Sequence, residues 1–165
     1  TTEIGKAKIE WNEIPISEKL DTKNLNIKIH DKNNNEYVGG TAVNVGNPHI
    51  IFFVKDCWKV DIQKIGPTIE KHHYFPERIN VTFAEVSADR ENIKVNVWER
   101  GAGQTKACGT AACATVVAAY FKNLAKNNCN ILFKEGILKI NYDTSDDQVY
   151  MTGPVSEVKK INLNI

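Results

Sequence analysis

The stretch TAACATVVAAYFKNLAKNN, residues 110–128, decides the architecture. Its first half is small and apolar almost all round (Ala111, Ala112, Ala114, Val116, Val117, Ala118, Ala119). A helix with no polar face has to be enclosed on every side. Thr110 is the expected N-cap, and the Lys- and Asn-rich end marks the far terminus. Working outward, short β-branched or alternating runs predict strands near 3–10, 24–29, 37–45, 49–54, 79–87 and 92–98. Further strands are expected near 131–134, 137–142, 147–152 and 157–163. KNNNEYVGG (32–40) reads as a polar hairpin tip. DIQKIGPTIEKH (61–72) has a helical apolar period, which its internal Gly66-Pro67 threatens to break. The fold class is therefore α+β, a mainly antiparallel or mixed β-sheet wrapped around one buried helix.

The chain of 165 residues is long enough for one domain with its own core. Hydrophobic residues at 42% and charged residues at 25% exclude a disordered chain. A net charge of +1 with scattered lysines speaks against a nucleic-acid partner. Apolar runs such as HIIFFV (49–54) are far too short to span a bilayer. No signal peptide opens the sequence, and Thr1 suggests either a processed chain or a piece of something longer. Cys57, Cys108, Cys113 and Cys129 follow no disulfide spacing, so free thiols in a cytoplasmic setting are expected.

The chemistry concentrates in WERGAGQTKACGTAACATVVAAY, residues 98–120. A strand delivers Glu99 and Arg100, a glycine-rich turn follows, and Cys108 sits at the mouth of the enclosed helix. Unpaired N–H groups at a helix N-terminus favour anions, so the expectation is a reactive cysteine with a lowered pKa. Arg100 offers a bidentate clamp for a carboxylate, and Glu99 is placed to exchange a proton with the thiol. A phosphate loop fits poorly, because Lys106 stands where a dinucleotide fingerprint needs glycine and the Walker spacing is absent. Cys113 lies among alanines inside the helix and reads as structural, as do Cys57 and Cys129.

Two further places present polar groups. In NVGNPHIIFFV (44–54) a turn between apolar strands brings Asn47 and His49 to one spot, although Asn-Pro also simply favours turns. His49 would titrate near neutrality. In FPERINVTF (75–83) Asn80 interrupts a strand-like run, and solvent exposure is the simpler reading, with ligand contact as the alternative. His72 and His73 are adjacent, so their rings should diverge, and no His/Cys pair has zinc-site spacing. No metal site is expected.

GNPH (46–49), GPTIEKHHYFPERINV (66–81), ERGAGQTKACGTAAC (99–113) and MTGPV (151–155) together resemble the diaminopimelate epimerase family, in order and in spacing. The resemblance covers about residues 3–158 and is confined to that family's C-terminal half. It implies two similar lobes, each a sheet around a central helix, with the site in the cleft between them. It also implies inversion of the substrate's α-carbon by two cysteines, without pyridoxal phosphate or metal, in lysine and peptidoglycan precursor synthesis. By motif, Cys108 would be the second-lobe acid/base, Glu99 would assist it, and His49 would assist the other cysteine. Asn47, Asn80, Arg100, Gly109 and Thr110 would bind diaminopimelate. The first-lobe signatures, a Gly-Asn-Asp-Phe segment and a Cys-Gly-Asn-Gly turn, occur nowhere in these residues. Residues 1–165 are therefore expected to form the C-terminal lobe, its ends reaching toward a missing N-terminal lobe, and to be inactive alone. A homodimer of the whole enzyme is the implied assembly. Another isomerase of the superfamily, or a binding lobe without catalysis, are the alternatives.

Overall fold

The structure, a computed structural model, describes residues 1–155. The strand expected at 157–163 lies outside them. Strands β1 (Thr2–Lys6), β2 (Lys28–His30), β3 (Glu36–Val38), β4 (Thr41–Asn44) and β5 (Pro48–Phe53) lead through a 3-10 turn into helix α1 (Ile62–Glu70). Then come β6 (Asn80–Val86), β7 (Asn92–Glu99), β8 (Gly103–Thr105), helix α2 (Gly109–Phe121), β9 (Asn128–Phe133), β10 (Gly136–Asp143) and β11 (Gln148–Thr152). Nine strands form one sheet in the order β1-β11-β10-β9-β7-β6-β5-β4, with β8 added to β7. It curls until its edges meet, where Lys8 and Asn44 exchange backbone hydrogen bonds of 2.8 and 2.9 Å. This is the α+β architecture expected, a mixed sheet around an enclosed helix.

Two pairs in this sheet are parallel, β5 with β6 and β7 with β9, and each is joined through one helix. Both crossovers step the same way along the sheet, but β6 and β7 are antiparallel, so the two pairs point in opposite directions. Right-handed crossovers of opposite strand direction must place their helices on opposite faces. That is the arrangement found. Ile51, Ala84, Val95 and Val97 pack on α2. Ile50, Phe52, Val81 and Phe83, one residue out of phase, pack with Ile62, Ile65 and Ile69 of α1. Residues 111–119 of α2 are all buried, which is why that helix carries no polar stripe.

Several expected boundaries move. The run 37–45 is split into β3 and β4 because Gly39 and Gly40 take positive φ of 85° and 108°. Strands expected over 3–10 and 24–29 shorten to Thr2–Lys6 and Lys28–His30, and β8 was not foreseen. The N-cap of α2 is Cys108, in extended conformation, and Thr110 lies within the first turn. The helix stops at Phe121 rather than near 128. Asn123 turns left-handed (φ 55°), while Leu124 N–H bonds the Ala119 carbonyl and Asn123 N–H the Tyr120 carbonyl, a Schellman ending. Helix α1, by contrast, runs unbroken through Pro67. At Gly66 a Cβ would lie 2.6 Å from the Trp98 ring, so that glycine serves close packing on β7.

Candidate active site

The sheet's topology gathers the candidate residues at one end. His49 and Asn80 open the parallel strands β5 and β6 as register partners, and Glu99 closes the antiparallel strand β7. The turn Glu99–Ala102, closed by the Ala102 N–H on the Glu99 carbonyl at 3.1 Å, presents Arg100. Cys108 and the first turn of α2 follow from β8. Cys108 and His49 are buried, whereas Asn47, Glu99, Arg100, Gly109 and Thr110 are half-buried.

The thiol departs from expectation. Burial pushes the Cys108 pKa up, and the nearby Glu99 carboxylate adds to the rise. The Thr110 hydroxyl, 3.4 Å from the sulfur, and the Ala111 N–H pull the other way without prevailing. Cys108 makes no cap hydrogen bond in the strict sense. Its helix-terminus position is therefore outweighed by desolvation, and the group rests as a protonated thiol. The other three thiols are buried, as expected; Cys113 and Cys57 are pushed up to about 12, Cys129 to about 11.

His49 also departs. It is fully buried, and burial together with the Arg100 charge lowers its pKa to about 3, so it is neutral at physiological pH. Its Nε2 lies 2.9 Å from the Asn47 Oδ1, which makes Nε2 the donor and leaves Nδ1 a buried lone pair with no partner among the described residues. Asn80 is not exposed. Its amide donates to the Pro48 carbonyl at 2.8 Å, and its Oδ1 accepts the Arg100 N–H at 2.9 Å. It straps β5, β6 and the Arg100 turn together. His72 and His73 do not diverge; their ring centroids are 4.3 Å apart. Among the described residues no cluster of three or more His, Cys, Asp or Glu is grouped to hold a metal ion, and no helix is long and apolar enough to cross a membrane.

Sequence reasoning missed Glu70. Its carboxylate is buried at the end of α1, accepting from Trp98 Nε1 at 2.7 Å and from the Gly101 N–H at 3.3 Å. A charged residue at the C-terminal end of a helix ordinarily reads as solvated. The available signal was its helical spacing of four from Gly66, which puts it on the face turned to Trp98.

The fold and site together define a class: an α+β lobe that presents a thiol, a carboxylate and a guanidinium at the mouth of an enclosed helix. A family model described as diaminopimelate epimerase matches residues 41–158, and the chain belongs to that family. The diaminopimelate epimerase of Pelagibacter ubique is 55% identical over 164 residues, which cover 99% of this chain and 59% of that protein. That of Methylorubrum extorquens is 45% identical over 157 residues, covering 94% and 52%. The chain thus spans a little over half the length of these relatives. Among solved structures, a predicted epimerase from Pseudomonas aeruginosa superposes with a TM-score of 0.48 at 13% identity, over 94% of this chain and 58% of that one.

Proposed function

We propose that this chain is the second lobe of a cofactor-independent diaminopimelate epimerase, interconverting the LL and meso forms, and that Cys108 is one of its two proton carriers. The observation that supports this most is Cys108 at the N-cap of an enclosed helix, facing Glu99 beside Arg100, inside the family-matched residues. The first lobe supplies the opposing cysteine. In one direction that thiolate takes the α-proton while Cys108 Sγ–H donates its own to the opposite face of the carbanion. One C–H bond breaks, one forms, and one proton is held by each thiol in turn. A Cys108 that rests as a thiol suits the donor role. Glu99 then mediates the return of a proton to the sulfur.

Arg100 and the free N–H groups of Gly109 and Thr110 hold a substrate carboxylate, where the helix N-terminus also opposes charge developing at the α-carbon. Asn47 binds a polar end of the substrate, and Asn80, bonded through both amide atoms within the lobe, serves that binding by holding the Arg100 turn. With Nε2 committed to Asn47 and Nδ1 buried, His49 acts by orienting Asn47 rather than by carrying protons. The reaction serves lysine and peptidoglycan precursor synthesis, in the cytoplasm and in a homodimer of the two-lobed enzyme.

The test is exchange of the substrate's α-hydrogen with deuterated water, using this chain combined with a first-lobe polypeptide. Exchange should appear only in the complex and fall by at least ~100-fold in Cys108→Ala. A folded complex without exchange, or an equally active Cys108→Ala, overturns the reading. In the chain alone, iodoacetamide should modify Cys108 before the buried Cys113. Because the Cys108 pKa is raised, that rate should still be climbing above pH 9.0, the ordinary thiol value. A plateau below it contradicts the thiol assignment.

A further inference from the structure

Resting on the proposed function, we infer that Glu70 is a positioning residue, the anchor of a clamp that fixes Arg100 for its carboxylate ligand. Three donors of the Arg100–Gly101 turn are held by one segment, residues 70–80. The Gly101 N–H goes to Glu70 Oε1 at 3.3 Å, and the Arg100 N–H to Asn80 Oδ1 at 2.9 Å. The Arg100 guanidinium, through Nη1, goes to the Glu77 carbonyl at 2.9 Å. The segment is itself closed by Arg78, whose guanidinium is 3.5 Å from Glu70 Oε1. This explains in physical terms why GPTIEKHHYFPERIN and ERGAG belong together in one sequence: the first is the seat of the second.

Helix energetics do not account for a carboxylate at this place. The C-terminal pole of α1 disfavours an anion, and Glu70 is 4% exposed. What the site needs is two acceptor oxygens on one side chain. Oε2 takes the Trp98 indole at 2.7 Å, leaving Oε1 for Gly101 and Arg78. Glutamine has one acceptor oxygen and would set an N–H against either the indole or the Gly101 amide. With one acceptor gone, the turn that carries Arg100 loses its lower support, while α1 and β7 keep their packing.

The experiment compares Glu70→Gln and Glu70→Ala with the wild-type chain by amide hydrogen exchange. Glu70→Gln should speed exchange at Gly101 by about tenfold, the factor for one hydrogen bond to a charged acceptor, with Val95 and Val97 in mid-β7 unchanged. Combined with a first lobe, it should raise KM by about tenfold and move kcat far less, as loss of an equal hold on substrate and transition state does. Unchanged Gly101 protection in a folded Glu70→Gln chain overturns the inference. So does a uniform acceleration across β7, which would mark Glu70 as merely structural. If Glu70→Ala does not fold, Glu70→Gln decides alone. A wild-type complex without exchange activity would defeat the proposed function and leave the amide readout to judge Glu70.

Discussion

The two helices are both crossovers between parallel strands, yet they lie on opposite faces of the sheet and bring opposite poles to the same end. Helix α2 enters the candidate site with its N-terminus and its free N–H groups; α1 arrives there with its C-terminus and a buried carboxylate. The first pole can meet a ligand, and the second holds the turn that meets it. Their compositions follow from their positions. A helix enclosed by the sheet takes alanine and valine on every side, whereas one laid on the outer face keeps Ile62, Ile65 and Ile69 on a stripe and leaves Gln63, Lys64 and Thr68 to solvent.

This contrast can be broken by mutation. Ala114→Leu inserts volume where α2 has no free side, and we expect a loss of about 3 kcal/mol by denaturant unfolding. Gln63→Leu on the exposed side of α1 should stay within about 0.5 kcal/mol of wild type. Similar costs would show that α2 is less enclosed than it looks.

A second test uses pH on the α2 side of the sheet, where His49 pairs with Val43. Its folded pKa, near 3, is below the ordinary 6.5, so the unfolded chain binds this proton first as pH falls. The stability contributed by the neutral ring is complete above about 6.5 and declines by about 1.4 kcal/mol per pH unit from there toward 3. His49→Gln should flatten that limb of the stability–pH curve, and an unchanged slope would disprove the burial argument.

A modest effect is expected where α1 meets β7. Gly66→Ala gains about 1 kcal/mol of helix propensity but drives a Cβ to 2.6 Å from Trp98. We expect a net loss of about 1 kcal/mol. A more stable variant would mean that Trp98 can move aside, which its 2.7 Å bond to Glu70 opposes.

Much of the architecture was legible from local pattern. The unbroken apolar character of 111–119 announced an enclosed helix, and the β-branched runs around Ile50, Val81 and Val95 announced the central strands. The site residues stood out because glycines, Cys108, Glu99 and Arg100 cluster along the chain. What the sequence did not reveal depended on distant partners. The upward shift at Cys108 comes from burial in the core around α2, against which residues as distant in the chain as Met151 pack. Glu70 was unreadable for the same reason, because its donors Trp98 and Gly101 are 28 and 31 positions away. Asn80 looked like an exposed interruption of a strand, and only register with His49 and the neighbouring turn makes it a strap.

The pairing of β1 with β11 bears on how the molecule is made. The hydroxyls of Thr1 and Thr152 bond at 2.7 Å across 151 positions, and Thr2 faces Met151 in the sheet. Within the described residues, β1 gains its neighbour only when a strand about 150 positions further on is in place. The seam at Lys8 and Asn44 can be drawn closed much earlier. Until β11 arrives, the α2 core is open along one side, and so long a closure is slow. The core around the helix that carries Cys108 is therefore sealed on that side only by a pairing of the longest range, which makes β1 against β11 a late step of folding.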